Sequence, residues 1–191
     1  LKIIVTRGSA ERRGYAPSGA VHARRIVSLW PCAPLSPVEQ GVDLGVAHLR
    51  LPEPSPFAGL KHLNRLENVM AAAESAASPV FESLLLSTAG SLVSGVACNV
   101  FLVKSGGLLT PGVERAGVAG VMRQVVLREA ARLDIATRER DLTLEDVFAA
   151  DAMFITNARI GVVPVRRVRE HVLGMSDIAQ RLRDAIEVLD A

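Results

Sequence analysis

At 191 residues, 49% of them apolar and 22% charged, the chain has the length of one good-sized domain and enough Val, Leu, Ile and Ala to fill its core. A formal net charge of +2 is too weak to argue for nucleic acid or an anionic membrane surface, and no apolar run is long enough to span a bilayer. Cys32 and Cys98 stand in unrelated contexts, and His22, His48, His62 and His171 lack metal-ligand spacing. This speaks against a disulfide framework or a zinc centre and points to a reduced, cytoplasmic setting.

Residues 1–6 read as a short strand with no secretory pattern, and the missing initiator methionine predicts a chain that begins inside a longer protein. Residues 13–17 form a loop, residues 25–30 a second strand closed by Pro31, and residues 34–37 a linker, so that residues 1–35 and 36–191 are expected to be separate units. Residues 42–46 alternate as a half-buried strand should. Pro52, Pro54 and Pro56 then impose an extended loop. Residues 64–74 are predicted helical, with Leu66, Val69, Met70 and Ala73 on one face.

Residues 82–86, 92–93, 99–103 and 108–109 follow as strands, with Gly106 and Gly107 as a hairpin turn. Gly117 to Gly120 open a helix to about Leu133, residues 135–140 return as a strand, and Thr143 with Asp146 resembles a capping box. Residues 153–156 and 161–165 are strands, and Ser176 can cap a last helix to about Leu189. Arg166, Arg167 and Arg169 read as a solvated basic face. Strands and helices mix without strict alternation, which predicts an α+β fold.

Four segments carry chemistry. The chain has three lysines (Lys2, Lys61 and Lys104) against nineteen arginines. Lys61 is either a surface cation or an amine kept because it can lose its proton and form a Schiff base. The glycines before the helix at Val121 can expose backbone N–H groups to a phosphate, or merely start a helix. They match neither a P-loop nor a dinucleotide fingerprint. Thr156 and Asn157 end a buried strand where a second set of donors could sit. Arg13 and Tyr15, the sole tyrosine, form a pair able to grip a carboxylate. His62 is read as a packing neighbour of Lys61.

The order of these segments is more specific than any one of them. Arg13-Gly14-Tyr15, the run from Gly59 through Lys61-His62-Leu63-Asn64-Arg65-Leu66-Glu67, Cys98-Asn99-Val100-Phe101, Gly117 through Arg123, and Thr156-Asn157 together resemble the class IV aminotransferase family of pyridoxal 5′-phosphate (PLP) enzymes, fold type IV. The Lys61–Glu67 wording resembles its branch of 4-amino-4-deoxychorismate lyases. The resemblance implies a large PLP-binding domain with a remnant of a smaller N-terminal domain, and a homodimer. It implies elimination of pyruvate from 4-amino-4-deoxychorismate to give 4-aminobenzoate, a step toward folate. D-amino-acid or branched-chain transamination, or a truncated non-catalytic paralogue, are the alternatives.

By the same resemblance Lys61 is the Schiff-base lysine, and Val121, Met122, Asn157 and Ala158 contact the cofactor. Arg13 and Tyr15 face the substrate, with Arg12 competing for that role because the loop is one residue longer than is usual in the family. Ser94 occupies the position where the family places a glutamate against the pyridine nitrogen. A hydroxyl makes a weaker electron sink there than a carboxylate does, which favours lysis over transamination, since lysis is driven by aromatisation.

Overall fold

The computed structural model describes residues 1–9, 14–15, 22–31 and 40–187. The chain divides into two units, Leu1–Ser36 and Pro37–Ala191. The linker expected at residues 34–37, Cys32, and the candidates Arg12 and Arg13 lie outside the described residues.

In the first unit, β1 (Lys2–Thr6) and β2 (Arg24–Ser28) pair antiparallel, from Lys2 opposite Ser28 to Thr6 opposite Arg24. The second strand stops two residues short of Trp30, whose indole N–H turns back to the Ser28 hydroxyl at 3.2 Å. Ile3, Val5, Ile26 and Val27 are exposed. Tyr15 is fully exposed within this unit.

The second unit is a mixed sheet with helices against it. Its elements are β3 (Val42–Leu51), α1 (Leu66–Ala76), β4 (Glu82–Ser87), β5 (Leu92–Gly95), β6 (Asn99–Lys104), β7 (Gly107–Thr110), α2 (Val121–Arg132), β8 (Thr137–Glu139), α3 (Leu144–Phe148), β9 (Ala152–Asn157), β10 (Gly161–Val168), β11 (His171–Val172) and α4 (Asp177–Glu187). The strand order is β5-β4-β3-β10-β9-β6-β7-β8, with β11 added to β10. Strand β3 runs parallel to β4 and β10, and β7 parallel to β8; the other pairs are antiparallel. This is the expected α+β class.

Both faces of the sheet are covered, which is why β4, β5 and β9 are buried along nearly their whole length instead of alternating. One face packs Leu44, Leu84, Leu102, Met153 and Val163 with Val147 of α3. The other packs Phe101, Phe154 and Val162 with Val126 and Ala130 of α2 and Leu182 of α4. Phe101 and Phe154 are cross-strand partners, and their rings stack at 5.0 Å.

Local rules hold at the helix starts. Thr143 and Asp146 form a reciprocal capping box, and the Ser176 hydroxyl accepts the Ile178 N–H at 3.1 Å.

Two expectations are corrected and two are extended. The turn between β6 and β7 is made by Ser105 and Gly106, both at positive φ (49° and 76°), while Gly107 is already strand. The strand at Val42 is twice as long as expected because it is central, paired on both sides. The face of α1 carrying Leu66, Val69, Met70 and Ala73 is exposed, and the helix meets the sheet through Ala71, packed with Ala47 and Leu85. The small alanine is what lets the helix sit close. The basic cluster is not merely solvated: Arg166 makes a fork to Asp43, Nε to Oδ1 and Nη2 to Oδ2 both at 2.9 Å, and Arg167 joins the same carboxylate.

Asp43 thereby ties β3 to β10 across their parallel pairing. Hydrogen bonding from Arg166 foremost, aided by Arg167 and opposed by partial burial, holds its carboxyl below the ordinary value of 3.8. A depressed carboxylate contributes stability that is complete above its ordinary pKa and is lost as pH falls through the folded value. Asp43→Asn is expected to lower the urea midpoint at neutral pH, with the gap to wild type closing as pH is taken below 3.8.

Candidate functional site

Lys61 is placed by main-chain bonds two residues upstream. The Gly59 N–H donates to the Gly117 carbonyl and the Ala119 N–H donates to the Gly59 carbonyl, both at 3.0 Å, forming a short parallel bridge between Gly59 and Val118. Gly59 stands at φ +76°, a conformation that other residues seldom adopt. The bridge fixes the lysine loop against the segment that leads into α2. A side-chain clasp completes it: the Arg65 guanidinium donates Nη2 to the Leu60 carbonyl at 2.6 Å and Nε to the His62 carbonyl at 3.2 Å, so it grips the residues on either side of Lys61. Burial lowers the pKa of this guanidinium, with Glu67 opposing the shift.

Helix α2 opens at Gly120, which offers no side-chain cap, and no acidic residue occupies its first turn. Its free N–H groups and positive dipole end are therefore available to an external anion. Gly120 is also required by space, since a Cβ there would lie 2.2 Å from Asn99 Oδ1.

Three carboxamides lock the surrounding loops. Asn99 donates to the Val118 carbonyl at 2.9 Å, Asn68 of α1 to the Val96 carbonyl at 2.8 Å, and Asn157 to the Ala97 carbonyl at 3.3 Å and the Cys98 sulfur at 3.2 Å.

These loops enclose a cavity of about 620 Å³. Lys61, Ser94, Val121, Met122, Asn157 and Ala158 all line it, so the structure brings together six of the eight residues expected at the site. Tyr15 belongs to the other unit, and Arg13 is outside the described residues. Lys61 is exposed to the cavity, Val121 is 72% exposed, and Ser94 is buried with its hydroxyl donating to the Gly95 carbonyl at 2.7 Å. That proton is committed, so Ser94 turns an acceptor oxygen to any further partner.

Asn157 departs from its expected role as a donor. Its Nδ2 holds the neighbouring loop, and its Oδ1 accepts the N–H groups of Arg159 and Ile160 at 2.8 and 3.0 Å. The Thr156 hydroxyl is likewise committed to the Gly161 carbonyl. What this turn can give an anion comes from its main chain. His62 does not line the cavity; its ring tilts against Phe57 at 5.2 Å.

Four residues were missed at the sequence level: Arg65, Asn68, Glu82 and Arg159. Glu82 was read only as a strand start. Its buried carboxylate accepts the Ala97 N–H and supports the loop behind Ser94. Burial pushes its pKa up, while hydrogen bonds from Cys98 and Ala97 pull it down. Burial, and next to it the Glu82 charge, push the Cys98 thiol up as well, which disfavours its thiolate. A carboxylate heading a strand otherwise made of serine and leucine was the available signal. Among the described residues no cluster of three or more metal-ligating side chains occurs, and no helix is long and apolar enough to cross a membrane.

Residues 1–168 match the family described as amino-transferase class IV. The chain belongs to that family. An aminodeoxychorismate lyase from Vibrio harveyi is 36% identical over 167 residues, covering 86% of this chain and 61% of its own. The crystal structure of 4-amino-4-deoxychorismate lyase from Pseudomonas aeruginosa superposes with a TM-score of 0.92 at 39% identity, over 97% of this chain and 69% of that one. A branched-chain amino acid aminotransferase from Escherichia coli gives a TM-score of 0.80 at 25% identity, over 91% of this chain and 58% of that one. The chain thus spans somewhat over three fifths of the length of the Vibrio lyase.

Class IV aminotransferases depend on PLP, and the cavity suits it. It joins an accessible amine to an uncapped helix N-terminus. Gly120→Ala would drive the new methyl into Asn99 and release the Val118 carbonyl from its clasp. Its affinity for PLP, measured by equilibrium dialysis, is expected to fall ~10-fold or more, with far-UV circular dichroism unchanged.

Proposed function

We propose that the protein is a PLP-dependent lyase that converts 4-amino-4-deoxychorismate to 4-aminobenzoate and pyruvate. The observation that carries the reading is the pairing, in one cavity, of Lys61 with the uncapped start of α2. The lyase-like wording of residues 61–67 and the likeness to two lyases support the choice of substrate.

In this reading the main chain of Val121 and Met122 at the dipole end of α2 holds the cofactor phosphate, and the turn at Asn157 and Ala158 contributes main-chain contacts. Bound PLP withdraws electrons from the bonds beside an attached substrate nitrogen. Lys61 Nζ would hold the cofactor and would be free to act as a base while the substrate nitrogen is attached. The freed Nζ then removes the proton from the ring carbon bearing that nitrogen. The neighbouring carbon–oxygen bond breaks, the ring becomes aromatic, and Nζ returns the proton to the departing enolpyruvyl group, which leaves as pyruvate. Nζ would then reclaim the cofactor and release 4-aminobenzoate as the free amine, so that atoms and electrons balance without an oxidant. Arg13 and Tyr15 are proposed to orient the carboxylates.

Ser94 favours lysis over transamination. Its hydroxyl is neutral, so it cannot hold a proton on the cofactor ring as a carboxylate would. Aromatisation lessens the need for that proton, whereas transamination has no such help. Leu60, Leu63, Leu66, Val69 and Met70 leave an exposed apolar face beside the lysine loop, which supports a homodimer as the working form.

The test is pyruvate release from 4-amino-4-deoxychorismate with no added keto acid. Wild type is expected to release it, and Lys61→Ala to lose at least ~1,000-fold in rate. Ser94→Glu is expected to keep most of the lysis and to raise transamination of branched-chain or D-amino acids. Pyruvate formation that requires a keto acid acceptor would overturn the lyase reading.

A further inference from the structure

The cavity is unusual in its charges. Its described lining includes Lys61, Arg65 and Arg159 and no aspartate or glutamate. The three cations are not equally free. Lys61 is the amine of the proposed chemistry. Arg65 is held side-on, with two of its guanidinium nitrogens on the carbonyls that flank Lys61. Its geometry makes it a positioning residue for the lysine loop.

Arg159 differs. It sits in the tight turn between β9 and β10, where its main-chain N–H is pinned by Asn157 Oδ1 at 2.8 Å. Its guanidinium donates to no described residue and lies within 4 Å of no described carboxylate. The same residue lines an adjoining cavity of about 510 Å³, whose one described carboxylate, Glu82, is committed to the Ala97 N–H. Arg159 is thus a cation on a fixed main chain, on the wall shared by two cavities, with its fork of donors unclaimed. Such a fork matches a carboxylate with two parallel hydrogen bonds.

We propose that Arg159 is a specificity-determining residue that binds a carboxylate of the substrate. The inference rests on the lyase reading, in which the substrate carries two carboxylates: one on the ring and one on the enolpyruvyl group. The phosphate of the cofactor is served by the start of α2, so the substrate's two carboxylates need partners of their own, and Arg159 adds one in addition to Arg13 and Tyr15. Among the described residues the cavity has no acidic side chain and one uncommitted guanidinium on its wall, which can take that charge. Arg159 then selects for dicarboxylates over simple amino acids and takes no part in moving protons.

The test uses the PLP-loaded protein and its Arg159→Ala and Arg159→Lys variants. Arg159→Ala is expected to raise KM for 4-amino-4-deoxychorismate ~10-fold or more, to change kcat by less than ~3-fold, and to leave the visible absorption of the lysine-bound cofactor and its affinity unchanged. Arg159→Lys is expected to fall between, because it keeps the charge and loses the fork.

Each product retains one carboxylate. Weakened inhibition by 4-aminobenzoate identifies the ring carboxylate as the partner, and weakened inhibition by pyruvate the other. An active wild type whose KM and product inhibition are the same in Arg159→Ala overturns the assignment and leaves the lyase reading standing. A PLP-loaded wild type that neither consumes the substrate nor binds chorismate, which has both carboxylates and no amine, overturns the lyase reading and the assignment with it.

Discussion

The site depends on one short main-chain bridge. Two hydrogen bonds join Gly59 to Gly117 and Ala119, and they hold together segments separated by nearly sixty residues. On one side of the bridge stands Lys61; on the other stands the start of α2. Neither does much alone: an exposed lysine is a solvated cation, and an uncapped helix end binds anions weakly and without selection. Joined across a few residues, they set an amine and an anion cradle into one wall. The remaining devices reinforce the same join. Arg65 grips both neighbours of Lys61, and Asn99 fixes Val118 inside the bridged segment.

Much of the fold was legible because its rules are local. The Thr143 capping box, the Ser176 cap, the glycine start of α2 and most strands follow from a few adjacent residues. The candidate site was legible where it also consisted of short words, such as Lys61 through Glu67 and Gly117 through Met122. What stayed hidden is long-range. Asn68 reaches Val96, Asn99 reaches Val118 and Asn157 reaches Ala97. Nothing in the spacing of an asparagine announces which distant carbonyl it will meet.

Helix α1 shows a different limit. Its 3.6-residue period correctly groups Leu66, Val69 and Met70, but period alone does not say whether the chain itself covers that face. Among the described residues it stays exposed, and the contact with the sheet falls to Ala71, whose small side chain permits close approach. The basic cluster near Arg166 is solvated as expected, but its ion partner stayed hidden for a related reason. Asp43, its partner, lies more than a hundred residues away and becomes a neighbour only through the parallel pairing of β3 and β10. Asn157 teaches the converse lesson, since a residue can sit where expected and still have its side chain fully committed to structure.

The central claim is that Lys61 is the amine that binds the cofactor. The chain offers only Lys2 and Lys104 as competitors, and Lys104 is engaged with the Ala149 carbonyl and Asp151 outside the cavity. Borohydride reduction of the PLP-loaded protein, followed by peptide mass spectrometry, measures the attachment directly. A phosphopyridoxyl group on Lys61 alone is the predicted result. Attachment at Lys2 or Lys104, or a protein that takes up no PLP, would contradict the account.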